Sequence, residues 1–236
     1  MIKKFLSLAI IIPLLSCAEL QQVVDQMPQG QTSGIGNAQI AEGLRQALDK
    51  GIDKQVSQLT QENGFFQNEL VRIALPPELQ KVDKTLRDIG LGSLADEGLK
   101  VMNRAAEDAV GEATPIFVNA VKGITFDDAK NILLGSDNAA TLYLTKRTEE
   151  DLYAKFNPII KRSFEKVGAD RVWSNLITKY NSIPLTNNVN PDLTDYVTKE
   201  ALKGVYTMIA VEEKEIRTKV SSRTTTLLKR VFELQD

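Results

Sequence analysis

The sequence predicts an all-α fold, a single multi-helix, mostly antiparallel, bundle-like domain over residues 38–236, and three observations predict it. Apolar residues recur every three or four positions in segment after segment, the period of a helix buried along one face. Few stretches show the strict alternation of a half-buried strand. Between the periodic segments stand proline, glycine, or Ser, Thr and Asp at the positions where helices start and stop.

The elements ahead of that domain are of another kind. Lys3 and Lys4 precede an apolar run from Phe5 to Leu15, of the length of an export signal core and too short to span a bilayer as a helix. Ser16 then precedes Cys17, the one cysteine in 236 residues. The order Leu14, Leu15, Ser16, Cys17 resembles the bacterial lipobox, which implies cleavage after residue 16 and acylation of Cys17. At roughly 0.8 kcal/mol per buried methylene, two or three acyl chains on one residue hold a protein firmly on a membrane. The alternative is an ordinary secretory signal with Cys17 a bystander.

Residues 17–37 read as a lipidated, flexible tether, because Gln, Ser, Gly and Pro dominate from Gln26 to Asn37 without apolar period. A flexible chain of that length spans roughly 25 Å. Ala18 after the cysteine, by analogy with enteric sorting, points to the outer membrane and its periplasmic face.

The domain itself is expected to begin with Ile40, Leu44, Leu48, Ile52, Val56 and Leu59, one face of a five-turn helix. A short helix is expected around Glu69 to Leu75. Pro76 and Pro77 end it and open the next, since proline is tolerated only in a first helical turn; Leu79, Val82, Leu86 and Ile89 continue that helix. A third opens at Ser93 with Leu94, Leu99, Met102, Ala106 and Val110 on one side. Thr114 with Pro115 marks another start.

Thr125 with Asp128 and Thr148 with Asp151 have the spacing of an N-cap and its N3 acid. Leu152, Phe156, Ile159, Ile160 and Phe164 line a helix that Pro158 is expected to kink or divide. Val172, Trp173, Leu176, Ile177 and Tyr180 line the next. The Asn- and Pro-rich stretch Asn181 to Asp192 reads as a surface loop rather than a domain boundary, because the helix from Leu193 to Ile216 has its own apolar stripe to dock. Leu227, Leu228, Val231 and Phe232 make the last helix.

Composition narrows the chemistry. The 29 basic residues, two of which lie in the signal, stand against 31 acidic ones, a balance that argues against nucleic acid as partner. With no histidine, and no thiol left once Cys17 is acylated, a His or Cys zinc site, a Ser-His-Asp triad and a cysteine nucleophile are excluded, and a lone cysteine can form no intrachain disulfide. No cofactor is implied. Carboxylate chemistry, a Ser-Lys pair or an oxygen-ligand cation site remain open.

Three acidic clusters could carry such chemistry. Asp127 and Asp128, and Glu149, Glu150 and Asp151, fall in expected first helical turns, where acids favour the helix dipole. Glu212, Glu213 and Glu215 lie inside a helix within one turn of Arg217 and Lys219, so pairing at i, i+4 explains much of the cluster. Glu213 with Arg217 is the pair to test. Gly90, Gly92 and Ala95 match a dinucleotide-binding pattern but follow a helical segment instead of a strand, and so read as a break between helices. Arg217, Lys219, Arg223, Lys229 and Arg230, with Thr224 to Thr226 among them, form a basic C-terminal region that either contacts anionic headgroups or phosphate or is a solvated face.

Several of these segments together resemble one family. Ala74 to Leu79, Asp128 and Ala129 through Ile132 and Leu133, Gly135, Ala139 to Thr141, and Arg223 to Phe232 look like the bacterial family called domain of unknown function 4197, in matching order over roughly residues 38–233. The resemblance implies an exported or lipidated helical protein and carries over no activity and no catalytic residue. In place of an expected acid and proline, this chain has Lys219, Val220 and Ser221, which implies a helix that runs further before it breaks.

The expected function is therefore that of a membrane-anchored envelope lipoprotein acting as a non-catalytic binding or scaffolding module for an envelope protein. Glu213, Arg217 and Arg223 are its candidate interaction residues. The alternatives are an envelope hydrolase using carboxylates or a Ser-Lys pair, and a carrier of an apolar ligand, which requires an apolar groove or cavity.

Overall fold

The computed structural model describes residues 36–88, 92–168, 174, 178 and 192–235. Among them the fold is all-α, with eight α-helices. In chain order these are α1 (Asn37–Leu59), α2 (Pro77–Asp88), α3 (Gly92–Val110), α4 (Ala113–Lys122), α5 (Phe126–Leu133), α6 (Ala139–Val167), α7 (Leu193–Thr218) and α8 (Thr226–Phe232), with one 3-10 turn at Val220–Ser222 between the last two.

The centre is the antiparallel pair α6 and α7. Tyr153 Oη donates to Asp195 at 2.7 Å, Thr148 and Tyr206 share a hydrogen bond of 2.8 Å, and Thr141 Oγ1 reaches Glu213 at 2.8 Å. Positions rise along one helix as they fall along the other. On α6 the stripe Leu152, Phe156, Ile160 and Phe164 is buried; α7 buries Val197, Ala201, Val205 and Ile209 against it. Burying each of the larger side chains contributes roughly 1.5–3 kcal/mol.

The other helices dock around this pair. α1 buries Leu44, Leu48, Ile52, Val56 and Leu59 and packs on α4, α5, α7 and α8. α3 buries Met102, Ala106 and Val110 against α6 and α7, with α2 on its outer side. Phe117 of α4 meets Tyr206 edge to face, centroids 6.0 Å apart. Gly204 admits the Phe65 ring, whose Cε1 lies 2.7 Å from where a Cβ would stand.

Local chemistry explains the boundaries. Thr125 and Asp128 form the expected capping box at α5, each side chain taking the other's backbone N–H. Asp192 caps α7 by accepting from Thr194 N–H. α6 ends at Gly168, whose φ of 68° is the left-handed C′ conformation that glycine adopts without strain.

Several expectations are corrected. The segment Glu69 to Leu75 is turn and irregular chain, because the Asn103 side chain pairs with both backbone groups of Ile73, at 2.8 and 2.9 Å, and so competes with a helical turn there. Thr148 is no N-cap: it lies inside α6, donates to Leu144 O at 2.7 Å and is 1 % exposed, so Glu149, Glu150 and Asp151 are mid-helix and exposed. Pro158 does not divide α6, which runs unbroken for 29 residues. Beyond Thr218 the helix does not continue, since Lys219 is extended. The first helix includes Asn37, and residues 1–35, the segment Val172 to Tyr180 apart from Ser174 and Thr178, and the loop from Asn181 up to Asp192 lie outside the described residues.

Candidate functional site

Adjacent residues on a helix point about 100° apart, so Glu212 and Glu213 on α7 serve different neighbours. Glu213 turns toward the α5–α6 junction. Its Oε1 accepts from Ala140 N at 2.9 Å and from Arg217 Nε and Nη2 at 3.0 and 2.8 Å; its Oε2 accepts from Thr141 N and Thr141 Oγ1, both at 2.8 Å. Asn138, the N-cap of α6, offers no side-chain cap. A carboxylate from α7 therefore caps α6 from outside, at the positive end of its dipole.

Arg217 completes the junction from the other side. Its Nη1 and Nη2 donate to Leu133 O at 3.1 Å and Ile132 O at 2.8 Å, carbonyls at the end of α5. The Gln235 amide donates to Leu133 O as well. Both members of the pair are buried, Glu213 7 % and Arg217 8 % exposed. One ion pair thus joins the C-terminus of α5 to the N-terminus of α6.

Arg223, 1 % exposed, is equally occupied. Its Nε donates to Ile216 O at 3.1 Å and its Nη2 to Arg217 O at 2.9 Å, closing the end of α7, while its guanidinium carbon sits 5.7 Å from the Phe232 ring centroid. These bonds explain why α7 stops where it does. In the same basic region Lys219, Lys229 and Arg230 are exposed, and Lys219 pairs with Glu215 at 2.7 Å.

Glu212 faces α1. Its Oε2 accepts from Lys54 Nζ at 2.6 Å and from Gln55 Nε2 at 2.9 Å, and Gly51 allows the approach, since a Cβ there would lie 3.2 Å from Glu212 Cγ. Gln55 Oε1 is buried without a partner. Behind Glu212, Glu213 and Arg217 lies a cavity of about 20 Å³ walled by Leu44, Leu48, Ile209 and Phe232, room for one water. In front of Glu212 a groove of about 190 Å³ opens between α1 and the C-terminal segment. Lys50, Lys54, Ser222 and Thr224 line it with Ala47, Ile216 and Leu228, and Lys50 Nζ donates to Thr224 Oγ1 at 3.1 Å.

Two other acids are shifted by their surroundings. Hydrogen bonds from the Thr125 backbone and hydroxyl keep the Asp128 carboxyl below the usual carboxylate range. Asp49 on α1 is pushed up by burial and then by Asp53 and Glu42, with Lys122 opposing. No group of three acids among the described residues is placed to hold a metal ion.

The structure brings Glu213, Arg217 and Arg223 together around the end of α7, each spent on backbone ends or on one another. Glu213 receives five donors and has no lone pair left for a reacting proton. The groove residues Lys50, Lys54 and Ser222 were not singled out by sequence reasoning. The signal for them was the i, i+4 pair of lysines on the polar side of α1; Thr224 already stood in the basic C-terminal region.

Segments scattered along the chain meet here: Ile132 and Leu133, Ala139 to Thr141, and Arg223 to Phe232 all surround the buried pair. Ala74 to Leu79 does not, lying instead where Tyr196 Oη donates to Ala74 O at 2.9 Å. A family model described as a protein of unknown function, DUF4197, matches residues 34–233. Neither the curated proteins nor the solved structures give a significant match. Among the described residues no helix is long and apolar enough to cross a membrane.

Proposed function

The chain belongs to the DUF4197 family, and we propose that it is a lipid-anchored, non-catalytic binding module of the bacterial envelope. The sequence up to Cys17, with its basic start, apolar run and lipobox-like end, supports the anchor, and Ala18 supports the outer membrane. The observation that carries the binding reading is the groove between α1 and the C-terminal segment. It presents the Lys50 and Lys54 ammonium groups with the Ser222 and Thr224 hydroxyls, the charge of Lys54 being offset by Glu212 at 2.6 Å, while Glu213, Arg217 and Arg223 behind it tie the ends of α5, α6 and α7 together. Such a surface takes up an anionic group of a partner, a carboxylate or phosphate, by charge-assisted hydrogen bonds.

Two measurements test this. Cys17→Ser is expected to release the protein from the membrane fraction, and unchanged retention would refute the anchor. A photocrosslinker at Thr224 in intact cells is expected to capture a defined partner that is lost on replacing Lys50 and Lys54 with Glu. Equal capture from Lys203, on the exposed side of α7, would refute the groove.

One observation favours a hydrolase instead: Ser222 and Thr224 share the groove with Lys50. Lysine acts as a base when desolvated in an apolar pocket, whereas Lys50 is exposed and Lys54 is bound to Glu212. Labelling of Ser222 or Thr224 by a fluorophosphonate would reverse the preference. For the carrier reading, the cavity behind Glu213 is far below the roughly 300 Å³ at which ligand pockets begin.

A further inference from the structure

Four of the large apolar side chains left exposed belong to one end of the bundle: Leu134 at 63 %, Leu142 at 57 %, Val220 at 56 % and Leu234 at 51 %. The buried junction places them there. Leu134 follows the Leu133 carbonyl held by Arg217 and Gln235, and Leu142 follows the Thr141 amide held by Glu213. Val220 opens the turn after α7, and Leu234 neighbours Gln235. Leu70 and Val211, also exposed, lie elsewhere, in the loop after α1 and on the flank of α7.

The chain also enters the bundle at this end. α1 sets Gln55 against Glu212, and Leu44 beside Arg217 and Phe232. Gly43 packs so closely on α8 that a Cβ would lie 2.6 Å from Val231 Cγ2. Gly36 is reached by continuing along α1 in the same direction. A single exposed leucine needs no explanation. Four at the end from which the tether departs do. Gly36 stands only 19 positions after Cys17 in the chain, so a membrane holding Cys17 is tied to this end of the bundle. Lys229 and Arg230 of α8 are exposed beside it and can reach headgroup phosphates while their stems lie on apolar surface.

We propose that this end of the bundle is a membrane-docking face, with Leu134, Leu142, Val220 and Leu234 inserted in the interface of the bilayer that carries the Cys17 lipid. The inference rests on the anchor reading for its geometry, and its test separates the two. Because acylation consumes Cys17, one new cysteine can be labelled selectively. Lipidated Leu142→Cys and, as control, Lys203→Cys are labelled with nitrobenzoxadiazole in vesicles of phosphatidylethanolamine with a minority of phosphatidylglycerol, with or without shallow nitroxide lipids.

Insertion of roughly 5–10 Å brings the Leu142 probe to nitroxide depth, so its emission shifts blue and falls about twofold while the Lys203 probe is unchanged. A Val220→Cys probe should lose that quenching when Leu134 and Leu142, both exposed, are replaced by Glu. If the protein sits on vesicles and both probes stay in water, as they would if a second copy or another protein covered this end, the docking face is overturned and the anchor stands. If the protein carries no lipid, Cys17 keeps its thiol, so the Leu142→Cys probe is placed in a Cys17→Ser chain and read after adding vesicles: quenching upholds the face, and none overturns it.

Discussion

Replacing Glu213 with glutamine takes one charge out of a pair whose side chains are 6 % and 5 % exposed. The amide keeps one acceptor oxygen where the carboxylate serves five donors, and its NH2 faces other donors. Breaking a buried pair from one side costs about 3–5 kcal/mol. For a chain of this size each kcal/mol lowers Tm by roughly 2–4 °C, so a fall of roughly 6–20 °C is expected.

The decisive variant is the double replacement Glu213→Leu with Arg217→Met. An isolated buried ion pair exchanged for apolar groups is often neutral, or more stable by about 1–4 kcal/mol. This pair also serves the Ile132 and Leu133 carbonyls and the Ala140 and Thr141 amides, and a buried group left unpaired costs about 1–3 kcal/mol. The Leu133 carbonyl keeps Gln235 and the Ile132 carbonyl keeps the Gly135 N–H, so the Ala140 and Thr141 amides and the Thr141 hydroxyl are stranded; about 3–9 kcal/mol of loss then stands against at most about 4 gained, and the double variant should be less stable than the parent. Urea unfolding followed by far-ultraviolet circular dichroism reads the loss, with Glu215→Gln as a control expected to match the parent because its pair with Lys219 is solvent-exposed. A double variant as stable as the parent would refute the role of the pair as a clamp on two helix ends.

Three further outcomes are expected. Asn103→Ala strands both backbone groups of buried Ile73 and should cost about 2–6 kcal/mol in the same urea assay. Burial pushes the Tyr206 phenol up to about 12 from its ordinary 10.0, against a smaller opposing effect of its Thr148 bond. Its contribution is full below pH 10 and lost as pH rises through 12, so Tyr206→Phe should flatten that part of an alkaline stability curve. Asp49, pushed up by burial, binds a proton more readily folded than unfolded, so its ionised form costs stability at neutral pH. Asp49→Asn should gain under about 1 kcal/mol after solvent screening at pH 7, and nothing below the ordinary 3.8, as Tm against pH will show.

The apolar period located α1, α3 and α7 because their buried stripes are regular and their neighbours are other helices, and the Thr125 and Asp128 spacing found a true capping box. Thr148 and Asp151 have the same spacing, yet Thr148 turns inward to Leu144 O and Tyr206, a choice made by α7 packing against it and invisible locally. The failed helix at Glu69 to Leu75 is of the same kind: Asn103, 30 positions on, takes both backbone groups of Ile73. At the site, Glu213 with Arg217 was legible from i, i+4 spacing. That the pair is buried, and that it closes α5 and α6, depends on residues more than 70 positions away. The groove was less legible still, since Lys50 and Thr224 are 174 positions apart.

That separation has a consequence for how the protein is made. α1 is among the first parts of the domain to be synthesised, and α4 and α5 soon follow to cover part of it, yet its partners α7 and α8 are the last, so the rest of its apolar face waits for the final residues. At roughly 5–20 residues per second, the chain between Lys50 and Thr224 takes about 9–35 s to appear, a long exposure for a surface that sticks to others of its kind. Contacts this distant also slow folding itself. A chain lacking α8 would uncover the Gly43 face of α1 however well its earlier helices form, so the completeness of the bundle is read from its last few residues.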